Sequence, residues 1–107
     1  MARTKPEREV QRDIIKYIKL QGWYVIKVIK GNENGIHDLL ACIDGKFVSI
    51  EVKAEQFAKD PFKQASEWQK RHLKAVNAAG GISMVVATLE QFKTALTQDL
   101  SSYDFLD

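Results

Sequence analysis

The Asp-Gly pair at Asp44 and Gly45 limits the fold of this chain more than any other feature of its sequence. Asp-Gly favours a two-residue type I′ turn, because both central residues of that turn need a positive φ. Short apolar runs lie on either side of the pair, within residues 35–53, as expected for two paired strands. The sequence therefore predicts a tight β-hairpin.

The register of this hairpin follows by counting outward from a two-residue turn. Leu39 then faces Ile50, and Asp38 faces Glu51. Opposed residues share a face with Cβ atoms about 4.5–5.5 Å apart, and Lys53 shares the face of Glu51 because side chains alternate along a strand. A type I turn with a G1 bulge is also common for Asp-Gly, and it would shift the register by one residue.

Two carboxylates and an amine are thus expected at one place. At an effective dielectric near 20, two carboxylates about 5 Å apart repel by roughly 3 kcal/mol. A divalent cation would remove this repulsion, and carboxylate oxygens suit Mg²⁺ or Mn²⁺. The alternative is a solvated strand end, because an Asp and a Glu-x-Lys at this spacing also arise by chance.

Composition indicates one ordinary globular domain spanning residues 1–107, with 45% hydrophobic and 28% charged residues. A formal net charge of +2 excludes a uniformly basic nucleic-acid coat. Local basic clusters are candidates for phosphate contacts or else solvated helix faces; they are Arg8/Arg12/Lys16, Lys27/Lys30 and Lys70/Arg71/Lys74.

Cys42 is the single cysteine, which excludes an intramolecular disulfide and a cysteine-based zinc site. Its position in a hairpin strand predicts a small packed residue rather than a nucleophile. No apolar run approaches the roughly 18–20 residues that cross a bilayer, and the first residues lack the hydrophobic region of a signal peptide. We therefore expect a cytoplasmic protein that does not enter membranes.

Periodicity, glycines and capping residues predict the other elements. In chain order they are a helix from Thr4–Pro6 to about Leu20, a strand at 23–29, the hairpin, a loop at 54–63, a helix at about 64–79, a strand at 82–87, a helix capped by Thr88, and a tail at 101–107. Three consecutive strands followed by a helical crossover imply an α/β fold with a mixed central sheet flanked by helices.

Four polar residues fall within the apolar faces of these helices, namely Glu7, Gln11, Gln69 and His72. Glu7 lies inside the apolar arc of the first helix and Glu9 outside it, although Glu7 could instead simply favour the helix dipole. Gln69 and His72 lie inside the arc of the second helix, together with Trp68. Because a buried amide needs a partner, we expect Gln69 to reach the hairpin acids, and His72 to be a satisfied, half-buried residue.

Several short motifs in one order resemble the VRR-Nuc family of the PD-(D/E)xK nuclease superfamily. They are Glu-x-x-Val-Gln at 7–11, Gly-Ile-His-Asp at 35–38, Ile-Glu-Val-Lys at 50–53, Trp-Gln at 68–69 and Gly-Gly at 80–81. The resemblance covers about residues 7–96 and implies a restriction-endonuclease-like αβββαβ core.

This resemblance also implies a metal centre. Asp38 and Glu51 would bind Mg²⁺ or Mn²⁺ together with the backbone carbonyl of Val52, and Glu7 would complete the acidic cluster, directly or through a water. Lys53 would position the attacking water and offset transition-state charge. A role for this lysine as a base would need a pKa well below about 10.4, which adjacent carboxylates oppose.

One further residue takes its expected role from the same resemblance, and another departs from the family pattern. Gln69 would orient Lys53 or a water. His37 stands where the family usually has proline. As the chain neighbour of Asp38 it is expected to point to the opposite face of the strand, in a structural role.

The function expected from the resemblance is a metal-dependent DNA endonuclease. A chain this small has no room for a separate sequence-reading domain, so we expect selection by DNA shape, with branched DNA such as a four-way junction as substrate and a homodimer as the acting form. DNA contacts are expected from basic residues, namely Arg8, Arg12, Lys27, Lys30, Lys70 and Arg71. The alternatives are a non-catalytic nucleic-acid-binding module of the same fold and an RNA-processing nuclease.

Overall fold

The computed structural model describes residues 3–98, so the predicted tail at 101–107 lies outside the described residues. The elements are α1 (Glu7–Leu20), β1 (Tyr24–Lys27), β2 (Leu39–Ile43), β3 (Lys46–Val52), α2 (Glu67–Ala78), β4 (Ile82–Val86) and α3 (Leu89–Thr97). The predicted order of helices and strands is confirmed, and the predicted loop contains two 3-10 turns, Glu55–Phe57 and Pro61–Gln64. None of the helices within residues 3–98 has the length and apolar character needed to span a membrane.

The four strands form one mixed sheet in the order β1-β2-β3-β4. The first three are antiparallel, and β4 lies parallel to β3 after the crossover through α2. Both turn residues have positive φ, 51° at Asp44 and 81° at Gly45, as a type I′ turn requires. Leu39 pairs with Ile50, so the predicted register is confirmed and the shifted alternative is wrong.

The main core lies between one face of the sheet and the helices α1 and α3. Alternation along each strand places every second residue on this face. The fully buried residues at its centre are Val10, Ile14, Ile18, Leu39, Val48, Ile50, Val52, Met84 and Phe92. This layer fixes the sheet against α1, and the start of α1 thereby lies near the start of β2 and the end of β3.

The opposite face of the sheet is covered by α2 only over β3 and β4. Leu73 of α2 packs there against Val85. The outer face of the hairpin stays open, so Cys42 is exposed and the prediction of a packed cysteine was wrong. Trp68, which periodicity placed on the inward arc of the helix, is 52% exposed. Leu73 is the only buried residue of α2.

The first strand is shorter than predicted and ends at Lys27. Ile29 is 85% exposed and belongs to the loop that leads to β2. This loop returns against α2 at Gly35, which has a φ of +83°. A Cβ atom at Gly35 would lie 2.3 Å from the backbone of Trp68, so only glycine allows this approach.

Gly35 and Gly45 have nearly equal positive φ, so comparing their alanine variants distinguishes the cost of backbone strain from the cost of a steric clash. We expect Gly45→Ala to lower the free energy of unfolding by about 1 kcal/mol through strain alone, since no atom lies near its added Cβ. Gly35→Ala should cost about 1–3 kcal/mol more, because its Cβ also meets the Trp68 backbone. Urea unfolding of both variants measures the difference, and equal losses would contradict the close approach.

Candidate active site

Asp38 is fixed where β2 begins by one hydrogen bond to the residue that follows β1 and by one to β3. Its carbonyl accepts a hydrogen bond from the backbone N–H of Val28 at 2.8 Å, and its Oδ2 accepts one from the N–H of Val52 at 3.0 Å. The paired register ends at Leu39 and Ile50, so the Asp38 side chain itself continues the link to β3. Its carboxylate therefore lies at the end of β3.

Glu51 is a buried acid near the same end of β3. It is 2% exposed, and its Oε1 has no hydrogen-bond partner among residues 3–98. Its Oε2 lies 3.2 Å from the Lys53 Nζ. Burial raises the pKa of Glu51 to about 7; the charge of Asp38 adds to this rise and that of Lys53 opposes it. The raised pKa means that the ionised form of Glu51 is energetically unfavourable in this buried position next to Asp38.

The Gln69 side chain contacts both Glu51 and Lys53 and also takes part in the cap of α2. Its Nε2 donates to the Glu51 Oε2 at 2.9 Å, and its Oε1 accepts from the Lys53 Nζ at 3.2 Å. The same Oε1 accepts from the N–H of Ser66 at 2.8 Å, completing a capping box at the start of α2. Because an N–H needs an acceptor, the cap turns the amide oxygen toward Ser66 and leaves its donor for Glu51.

A solved structure described as "VRR_NUC domain" matches this chain with a TM-score of 0.68 and 24% sequence identity. The match covers 84% of this chain and 92% of that chain. This chain has the VRR-Nuc fold. Neither a family model nor a curated protein matches the sequence. The fold expected from the short motifs is therefore confirmed by the three-dimensional match.

Glu7 lies at the start of α1 on the side that faces this site of the VRR-Nuc fold. Glu7 is exposed rather than buried in the apolar face of α1. Partial desolvation still raises its pKa, as does the charge of Asp38, while Lys53 and Lys27 oppose the rise. Its Oε2 accepts a hydrogen bond from the Gln11 side chain at 3.3 Å. Within residues 3–98 no three His, Cys, Asp or Glu side chains are grouped to hold a metal ion, so the action of Glu7 on a metal stays a prediction.

Apart from Glu7, the candidate metal ligands of this site are of the type that binds a hard divalent cation. The Asp38 and Glu51 carboxylates and the Val52 carbonyl are all oxygen donors, the type that Mg²⁺ and Mn²⁺ prefer. The buried Glu51 Oε1 lacks a partner within the described part of the chain. A cation beside it would satisfy this oxygen and relieve the repulsion between the two acids.

A second polar layer lies beneath α2, and sequence reasoning found only part of it. His37 is fully buried, with its Nε2 3.0 Å from the Gln69 carbonyl and its Nδ1 3.3 Å from the Ser83 hydroxyl. Burial lowers the pKa of His37 to about 4, so the ring is neutral near pH 7 and donates to one of these partners. These contacts hold α2 in place at Gln69, which fits the structural role expected for this histidine.

The predicted orientation of His37 was wrong. This residue precedes β2, so strand alternation does not govern it, and its ring lies on the α2 side of the sheet. His72 is half-buried as predicted, with its Nε2 3.0 Å from the Ser49 hydroxyl. The two serines were missed. Their one signal in the sequence is a small polar residue within an otherwise apolar strand.

The basic residues predicted to contact DNA lie in different places. Arg8, Arg12, Lys27, Lys30 and Arg71 are exposed. Lys27 acts electrostatically on Glu7 and therefore lies near the acids. Lys70 is half-buried, with its Nζ 3.8 Å from Glu67 and 5.0 Å from the centre of the Phe62 ring.

Because the ionised form of Glu51 is costly, replacing Glu51 by the neutral glutamine should stabilise the protein by an amount that depends on pH. In chelator, Glu51→Gln should raise the free energy of unfolding by about 3 kcal/mol at pH 8 and about 1 kcal/mol at pH 5. The raised pKa means that the folded protein binds more protons between about pH 4.5 and 7, so acid relieves the native residue. Urea unfolding at both pH values measures the gain.

The exposed Glu67, whose side chain is 84% accessible, supplies the matched control. Glu67→Gln should change stability equally at the two pH values. A gain from Glu51→Gln that is the same at pH 5 and pH 8 would contradict the buried, charge-strained carboxylate.

Proposed function

We propose that this chain is a Mg²⁺- or Mn²⁺-dependent DNA endonuclease. The observation that carries the proposal is the buried Glu51 carboxylate. One of its oxygens has no partner among residues 3–98, the charge of Asp38 acts on it, and the Lys53 amine lies 3.2 Å away. A cluster of this kind destabilises a fold unless it serves a ligand. The likeness to a structure described by the VRR-Nuc name supports the nuclease assignment.

The donors suit the needs of phosphodiester hydrolysis. Asp38, Glu51 and the Val52 carbonyl would hold the cation. When bound, the ion supplies Lewis acidity to a phosphoryl oxygen and lowers the pKa of water. The protein contributes fixed geometry, since the Asp38 side chain is tied to β3 and Glu51 is part of it.

Lys53 supplies a positioned positive charge. Its Nζ contacts the Glu51 Oε2 and the Gln69 Oε1, both at 3.2 Å. An ammonium has three donors, so one remains for an attacking water or a phosphoryl oxygen. The Lys53 side chain is 15% exposed, which lets that donor reach a substrate at the surface. The roles that follow are orientation of water and stabilisation of developing negative charge.

Branched DNA is the proposed substrate and a homodimer the proposed acting form. The described residues form one small fold, so recognition of shape is more economical than a dedicated base-reading element. Exposed basic residues, Arg8, Arg12, Lys27 and Lys30, supply phosphate contacts. Two copies would cut two strands symmetrically, as a four-way junction requires.

A cleavage panel tests this function. Linear, flapped and four-way DNA, together with an RNA strand, are incubated with Mg²⁺ or Mn²⁺ and analysed on denaturing gels. We expect cleavage of branched DNA, and a loss of at least about 100-fold in Asp38→Asn and in Lys53→Met. The asparagine retains an oxygen for the Val52 N–H, so the change removes charge and leaves the local hydrogen bond.

Asp44→Asn is the matched control for charge removal, because Asn-Gly suits the same turn. This variant should cut as the native chain does. Binding of branched DNA without cleavage under either ion would favour the non-catalytic module, and cleavage confined to RNA would favour the RNA-processing alternative.

A metal-binding readout that does not depend on activity follows from the same site. At 100 times its Kd, Mn²⁺ should raise the free energy of unfolding by about 2.7 kcal/mol. Thermal unfolding with and without Mn²⁺ should show the shift in the native chain and in Asp44→Asn. Asp38→Asn should lose most of it, and an equal shift in all three proteins would place the ion elsewhere.

A further inference from the structure

A cleft of about 470 Å³ lies between the loop that precedes β2 and one side of α2. Its volume is within the range of small-molecule sites. The residues that line it are Asn32, Glu33, Asn34, Trp68, Arg71, His72 and Ala75. None of them belongs to the proposed metal centre, and no role above accounts for this combination of side chains.

The chemistry of the cleft suits a planar aromatic ligand. Trp68 is 52% exposed, and the Arg71 guanidinium stands 5.0 Å from the centre of its ring. An exposed indole can stack on any nucleobase, and an arginine adds cation–π attraction. Asn32 and Asn34 bring amide donors and acceptors to the opposite wall.

The charges of the cleft disfavour an isolated phosphate. Arg71 is opposed by Glu33, which lines the same cleft. Burial lowers the pKa of His72, with Glu33 opposing the shift, so the ring adds little positive charge near pH 7. A neutral base is therefore a better occupant than an anion that would meet a carboxylate.

The cleft begins beside the proposed site. Trp68 is the chain neighbour of Gln69, whose amide contacts Glu51 and Lys53. The loop wall leads directly into Asp38 and touches the Trp68 backbone at Gly35. From Trp68 to Ala75 the helix rises about 10 Å, which is room for one base and its sugar.

We propose that this cleft holds an unpaired base of the substrate strand next to the phosphodiester bond that is cut. The inference rests on the proposed nuclease function and names its substrate class as DNA with an unpaired nucleotide beside the cleavage site. Trp68 stacks on the base, and Arg71 holds the indole from its other face or contacts the flanking phosphate.

The test compares the affinity of the protein for normal DNA with its affinity for DNA that lacks a single base. Flapped DNA carrying an abasic residue at successive positions near the branch is titrated by fluorescence anisotropy in chelator, where no cutting occurs. At one position the native chain should bind the normal DNA about 5- to 100-fold more tightly than the abasic DNA. Trp68→Ala should lose this discrimination, and Phe47→Ala, which removes an aromatic that is 49% exposed elsewhere, should keep it.

Fluorescence gives a second measurement that keeps Trp68 in place. Trp23→Phe leaves Trp68 as the single tryptophan, because the chain has two. Short single-stranded DNA should quench this emission, and the matched variant Trp68→Phe, which reports Trp23 instead, should show no quenching. Absence of quenching in Trp23→Phe would overturn the inference even where Trp68→Ala fails to fold.

The two proposals fail in different ways. Cleavage of branched DNA with no position at which a base is preferred would overturn the base-binding cleft and leave the nuclease function. Base-dependent binding lost in Trp68→Ala, without cleavage under either ion, would support the cleft and overturn the nuclease function.

Discussion

The burial of one ionisable carboxylate, Glu51, governs the arrangement around it. An acid that is 2% exposed has to be neutral, paired or bound to a cation. Lys53 and Gln69 satisfy one of its oxygens, while Asp38 makes its ionised form more costly. The ionised form of Glu51 therefore costs stability at the proposed metal site, and a strongly perturbed carboxylate of this kind is typical of groups arranged to bind a ligand.

Much of this arrangement could be predicted because it depends on local rules. Asp44 and Gly45 fix a turn that only a few sequences adopt, and the turn fixes the register of the hairpin. Periodicity placed Gln69 on the side of α2 that faces the hairpin, and its amide does contact Glu51. In each case the prediction rested on a local pattern, a turn or a helical period, although the contact between Gln69 and Glu51 joins two separate elements.

The failures arose where the position of a whole element decided the outcome. Trp68 was expected inside and Cys42 was expected packed, but α2 covers only the β3–β4 half of the sheet and leaves both exposed. The orientation of His37 and its contact with Ser83 depend on how a loop passes under α2. No spacing in the sequence reports such placements, because they are set by the packing of distant segments.

The shared role of Gln69 links folding to chemistry. Its amide oxygen closes the capping box with Ser66 at the first turn of α2 and also receives the Lys53 amine. Helix ends open far more often than whole proteins unfold. Each such fraying event would separate the amide from Ser66, Lys53 and Glu51 at once, and the Lys53 amine would then be held by its contact with Glu51.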